Sequence, residues 1–173
     1  EEQISLWTAA GLAVKEVFLA DPMGWNMPHR VAEDLRAIQD RWPSIDTFRL
    51  HLHNQRGMAV ASSYAAIASL VPHHTLKLDA TIGGIGGCPY CGNGRAAGLA
   101  PTEDLIQMLE AMGIATGVNL YKLVEAVWLA EEIVGHPLYG FVSKAGPRPR
   151  HDRLYAMDMP RIETLDQAKH FIH

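Results

Sequence analysis

The residues best suited to chemistry in this chain are His51 and His53, the cysteines Cys88 and Cys91 in a glycine-rich run, and Asp21, which closes an apolar segment. Alternate side chains of an extended strand share a face, so Leu50-His51-Leu52-His53 presents both imidazoles on one side and both leucines on the other. Strand rise sets the imidazoles about 6 to 7 Å apart, and two neutral imidazoles so held are a ready pair of divalent-metal ligands. Surface or core histidines can show the same spacing. The position at the C-terminal end of a strand, where parallel α/β folds gather their ligands, favours the metal.

Cys88-Pro89-Tyr90-Cys91 lacks the second cysteine pair of a zinc site, although the histidines could complete one. It also lacks the setting of a dithiol redox motif, because Gly83, Gly84, Gly86 and Gly87 precede it and Gly92 and Gly94 follow, where a helix should open. The run Gly92-Asn93-Gly94 meets the dinucleotide pattern only loosely, with a loop rather than a strand before it. The glycines suit a loop that crosses a pocket and carries Cys88 to a reacting centre as acid or base, its thiol tuned by a nearby charge or metal. An inert buried cysteine beside a tight turn is the structural alternative.

The elements that must position these residues alternate. Ile4 to Ala13 is loosely helical; Val17 to Ala20 reads as a buried strand with Asp21 at its C-terminal end. Pro28 suits a helix first turn, followed at helical spacing by Val31, Leu35, Ile38 and Trp42 until Pro43. Phe48 to His53 is a second strand, Met58 to Leu70 a second helix, and Thr75 to Asp79 a third strand, again with an aspartate at its far end. Thr102 is expected to cap a helix ending at Gly113, with Glu103 and Asp104 beside the N-terminal dipole. Asn119 is expected to cap another, stopped by Gly135. Lys144 to Arg153 reads as a basic loop, and Glu163 to His173 as a short closing helix. Three strands joined by long helical connections argue for a parallel α/β fold.

The 173 residues, 48% of them apolar, suffice for one domain with a core. A net charge of −4 gives no electrostatic footprint for nucleic acid or an anionic membrane. No run is long enough to span a bilayer, and the acidic start is unlike a secretory signal. Two cysteines do not make a disulfide framework, so a reducing, cytoplasmic setting is expected.

The combination His51-Leu52-His53-Asn54, Asp79 through Tyr90, Thr102-Glu103-Asp104-Leu105 and Thr116-Gly117-Val118-Asn119-Leu120 closely resembles the 3-hydroxy-3-methylglutaryl-coenzyme A lyase family, of the metal-dependent acyl-coenzyme A lyase and synthase superfamily built on TIM barrels. The likeness runs from about Val17 to Glu125. It implies that His51 and His53 bind Mg²⁺ or Mn²⁺, and that Cys88 is the catalytic thiol of a loop, including Gly86, Gly87 and Tyr90, that closes over an acyl-coenzyme A. Asp21 falls where the family has an aspartate-threonine pair near the active site, with Pro22 departing from it. A metal-binding asparagine is expected shortly before the Thr102-Glu103-Asp104 helix, but Gly98 and Leu99 stand there, leaving Asn93 as the stand-in ligand. The arginine-aspartate pair of the family's first strand has no counterpart.

A TIM barrel needs eight strands. The chain is therefore expected to be the C-terminal half of a (β/α)8 barrel over residues 1–143, with a basic loop and C-terminal extension over 144–173. A second chain or a missing N-terminal segment would supply the rest, in an assembly that is an oligomer. The implied reaction is carbon–carbon cleavage of a 3-hydroxyacyl-coenzyme A to acetyl-coenzyme A and a keto acid. A condensing synthase of the citramalate or isopropylmalate type, or a non-catalytic assembly half, is the alternative.

Overall fold

In a computed structural model of the chain, the residues described are 2–87, 98–149 and 163–164. A first helix, α1 (Glu2–Ala9), leads into strand β1 (Glu16–Asp21), helix α2 (Pro28–Arg41), strand β2 (Thr47–Leu52), helix α3 (Ala59–Ser69) and strand β3 (Thr75–Leu78). The three strands lie parallel in the order β1-β2-β3, with Phe48 opposite both Val17 and Leu76.

Strand alternation sorts the sheet into two faces. Phe48, Leu50 and Leu52 are buried against Val31, Leu35 and Ile38 of α2 and Ala59 and Ala66 of α3. Arg49, His51 and His53 belong to the other face, shared with Glu16, Phe18 and Lys77, and an ion pair of 2.7 Å joins Lys77 to Glu16 across β2. Helix α2 forms where expected, with Pro28 at its first turn and Val31, Leu35 and Ile38 forming its buried stripe.

Beyond Leu78 the ladder holds for one more bond, Asp79 N–H to Leu50 C=O at 2.9 Å. The chain then changes neighbour. Strand β4 (Ala80–Thr81) pairs in parallel with β5 (Ala100–Pro101) as a separate two-stranded sheet, a pair that the expected count of three strands omitted. Two residues, one of them proline, carry no readable period, which is why the sequence hid it. Among the described residues, no strand pairs with the outer edge of β1 or of β5.

Helix α4 (Thr102–Ala111) follows at once. Thr102 is not its cap: Pro101 holds the N-cap position with φ −62°, and no side chain caps there. Helix α5 (Leu120–Val134) is capped as expected, Asn119 Oδ1 accepting from Lys122 N–H at 3.2 Å and Gly135 adopting φ 76° at its end. The reading of Lys144 onward as loop needs correction, because Lys144 and Ala145 belong to a short helix, α6 (Val142–Ala145). Residues 146–149 are irregular, with Arg148 N–H bonded to Gln107 Oε1 at 2.6 Å; residues 150–153, and the expected closing helix apart from 163–164, lie outside the described residues.

Leu35 is fully buried between α2 and the sheet. Leu35→Ala is expected to cost about 2–5 kcal/mol, read from the midpoint shift of urea unfolding.

Candidate functional site

The site is built at the C-terminal ends of β1, β2 and β3. His51 and His53 project together as their spacing requires, with ring centroids 5.3 Å apart. His51 Nδ1 lies 2.9 Å from Asp79 Oδ2, and Arg49 closes on the same carboxylate through Nε and Nη2, each at 3.0 Å. Burial alone would raise the Asp79 pKa, but hydrogen bonds from Arg49 and His51, with their charges, outweigh it and hold the carboxyl below its ordinary value. An ionised Asp79 only accepts, so His51 donates to it from Nδ1, and the lone pair of the neutral imidazole in that tautomer is on Nε2. That is how an outer carboxylate prepares an imidazole for a metal.

His53 is buried, with 8% of its surface exposed. Burial lowers its pKa, the neighbouring His51 lowers it further, and the charge of Asp21 opposes both. Its Nδ1 lies 3.1 Å from Gln55 Nε2, which also donates to Pro22 C=O at 3.3 Å. With that amide orientation the proton sits on His53 Nε2. Coordination through Nε2 requires Gln55 to present its oxygen to an Nδ1–H instead, a half-turn of the amide. His51 therefore fits a cation as it stands, and His53 fits after that turn. Among the described residues no three or more His, Cys, Asp or Glu side chains are grouped as a metal site.

Asp21 closes β1 as expected, beside His53. Its Oδ1 accepts from Trp25 N–H at 3.1 Å, and its Oδ2 from both the backbone and the side-chain N–H of Asn26 at 2.6 Å. Asn26 Nδ2 also reaches His53 C=O at 3.1 Å, which ties the ends of β1 and β2 together.

The glycine-rich run leaves the site through a 3-10 turn, Ile82–Gly84. Gly84 C=O accepts from Gly98 N–H at 2.9 Å, and Gly98 C=O accepts from Asn54 N–H at 2.8 Å, one residue beyond His53. The two ends of the loop are thus pinned to each other and to the histidine strand. Gly86 and Gly87 are exposed just above this stem. Cys88, Tyr90 and Asn93 lie outside the described residues. Leu99, at the position where the resemblance implies an asparagine ligand, is buried and bridges His53 in antiparallel fashion, and its side chain offers no donor.

The structure adds Arg49, Asp79, Asn26 and Gln55 to the site. Arg49 was within reach of the sequence, lying two residues before His51 on the same strand face. Asp79 was visible as a strand-end aspartate, but its partner is 28 residues away. Nothing local marks Asn26 or Gln55.

Asp79 contributes stability through its depressed pKa: the contribution is full above its unfolded value of about 3.9 and is lost as pH falls through the lower folded value. Asp79→Asn is therefore expected to lower unfolding free energy by about 1 kcal/mol at pH 7, the figure discounted for the half-exposed Arg49, and by much less at about pH 2. Urea titrations at the two pH values check this.

The model of the HMGL-like family matches residues 4–129. The (R)-citramalyl-CoA lyase of Chloroflexus aurantiacus is 39% identical over 140 residues, 80% of this chain and 42% of that protein. Among solved structures, the HMG-CoA lyase of Bacillus subtilis superposes with a TM-score of 0.70 at 35% identity, over 83% of this chain and 47% of that one. An HMG-CoA lyase from Acinetobacter baumannii, in complex with coenzyme A and 3-methylmalate, gives 0.68 at 29% identity, over 90% and 48%. The chain spans less than half the length of each of these proteins. The parallel strands and helical crossovers are thus the C-terminal part of a (β/α)8 barrel, as the motifs implied.

Proposed function

Because the chain belongs to the HMGL-like family, we propose that it is the C-terminal half of a divalent-metal-dependent lyase that cleaves a 3-hydroxyacyl-coenzyme A to acetyl-coenzyme A and a keto acid. The observation that carries this reading is the His51–His53 pair, one imidazole held by Asp79 with its Nε2 lone pair free, beside the pinned stem of the glycine-rich loop. The relatives support the chemistry, since the proteins named above are lyases of acyl-coenzyme A substrates.

When bound, Mg²⁺ or Mn²⁺ supplies Lewis acidity toward the substrate's hydroxyl and carbonyl oxygens. His51 would hold it through Nε2, and His53 would join it once the Gln55 amide has turned. Arg49 keeps Asp79 ionised, and Asp79 keeps His51 in the tautomer that can coordinate. Cleavage turns the hydroxyl carbon into the keto carbonyl, its proton leaving to a base. The electrons of the broken carbon–carbon bond pass to the thioester side as an enolate, which takes up a proton to become acetyl-coenzyme A. Cys88, the residue after Gly86-Gly87, is assigned to that proton traffic. Asp21 braces the ends of β1 and β2 and places a negative charge beside His53. Asn93, as the asparagine of that loop, remains the proposed further ligand, since Leu99 cannot serve.

The free edges of β1 and β5 are where the first half of the barrel is proposed to attach, either a second chain or an N-terminal segment. That half must bring the arginine and the remaining donors.

Native mass spectrometry of the purified assembly is expected to show a second polypeptide or a longer chain. In that assembly, chelation of the metal or His53→Ala is expected to lower acetyl-coenzyme A release by about a thousandfold or more, in the range of losing a Lewis acid worth several kcal/mol. Turnover surviving both treatments would end the metal-dependent reading.

A further inference from the structure

Glu103 is among the largest fully buried side chains of the molecule, with none of its surface exposed. A leucine would fill a similar volume without the cost of stripping a carboxylate of water. What a leucine cannot do is accept a hydrogen bond. Glu103 Oε2 accepts the Gly83 N–H at 3.0 Å, at the root of the glycine-rich loop. The same glycine is held from its other side, its C=O accepting from Tyr139 N–H at 2.8 Å and Gly140 N–H at 3.2 Å.

The clasp leaves no slack. Gly83 has φ 61°, and a Cβ there would meet Leu138 and Val127. A Cβ on Gly140 would overlap Glu103 Oε1. The neighbouring Asp104 fastens the same segment, its Oδ1 accepting from Phe141 N–H at 3.0 Å and Val142 N–H at 2.8 Å. Burial raises the Glu103 pKa against the hydrogen bonds from its own backbone and from Gly83.

We propose that Glu103 is a positioning residue for the glycine-rich loop: by holding Gly83 against the 138–142 segment it sets the direction in which Gly84–Gly87 leave the barrel end. The hold passes on through covalent and hydrogen bonds, from Gly83 to Gly84, from Gly84 C=O to Gly98 N–H, and from Gly98 C=O to Asn54 N–H beside His53. The proposal rests on the lyase reading only in taking that loop to work over the histidines.

The test is hydrogen exchange, with steady-state kinetics beside it, on the assembled enzyme carrying Glu103→Ala, Glu103→Gln or Gly140→Ala. Glu103→Ala and Gly140→Ala are each expected to speed exchange across residues 83–87 by about tenfold, the loss of one buried hydrogen bond, with less than about a twofold change in β2. They are expected to lower kcat by about tenfold with KM and Mn²⁺ affinity within about twofold, while Glu103→Gln, which keeps an acceptor for Gly83, retains at least about half of kcat. Exchange that rises equally in β2, a stem that stays protected, or a Gln variant as impaired as Ala overturns the proposal. If Glu103→Ala does not fold, Gly140→Ala decides, since it displaces the carboxylate without removing it. If the wild-type assembly shows no lyase activity, the lyase reading fails and the exchange result still decides the role of Glu103.

Discussion

The structure depends on the register of β2. With Phe48, Leu50 and Leu52 facing the helices, Arg49, His51 and His53 face the other way, and a slip of one residue would exchange the two sets. Core and site are therefore specified by the same six or seven residues. The packing that hides Phe48 and Leu50 behind α2 and α3 also fixes how the imidazoles sit beside β1 and β3. No separate scaffold is needed to align them.

The polar face carries its own constraint. Arg49 and Lys77 bring positive charge to it, Glu16 and Asp79 negative charge, and each cation pairs across a strand. Arg49 also lies over the Phe18 ring, with 5.1 Å between guanidinium carbon and ring centroid. Exposed ion pairs add little stability, and here half the side-chain surface of Arg49 and Lys77 is open to solvent. Their main effect is orientation. A carboxylate gripped by a fork-shaped guanidinium is held in one orientation, and it accepts from His51 Nδ1 in that orientation.

What the sequence discloses depends on how far apart the interacting groups lie along the chain. The strands β1 to β3, the stripe of α2 and both ends of α5 are local patterns of period, cap and stop, and they appear where those patterns place them. So does the histidine pair, because alternation along one strand needs no tertiary knowledge. Strands β4 and β5 escape because two residues have no period, and Thr102 loses the cap to Pro101. Asp79 is close to His51 only because β3 lies beside β2. Glu103 is the instructive miss: its place in a first turn suggests a solvated charge near a helix dipole, yet it turns inward to a glycine 20 residues earlier.

Glycines bracketing a loop invite the idea of a hinge, but the described ends of this one argue the reverse. Gly98 has no left-handed φ; it is bare because a Cβ would strike the carbonyl of Ile85, so the two arms of the stem touch backbone to backbone. Gly140 is bare for the same kind of reason, against Glu103. Gly83 and Gly84 combine a left-handed turn with close neighbours, and Gly83 is bonded at both its N–H and its C=O. Small residues here serve close approach, and close approach makes a stiff base. The described stem is thus a fixed part of the barrel end, tied through Gly98 C=O to Asn54 N–H beside His53.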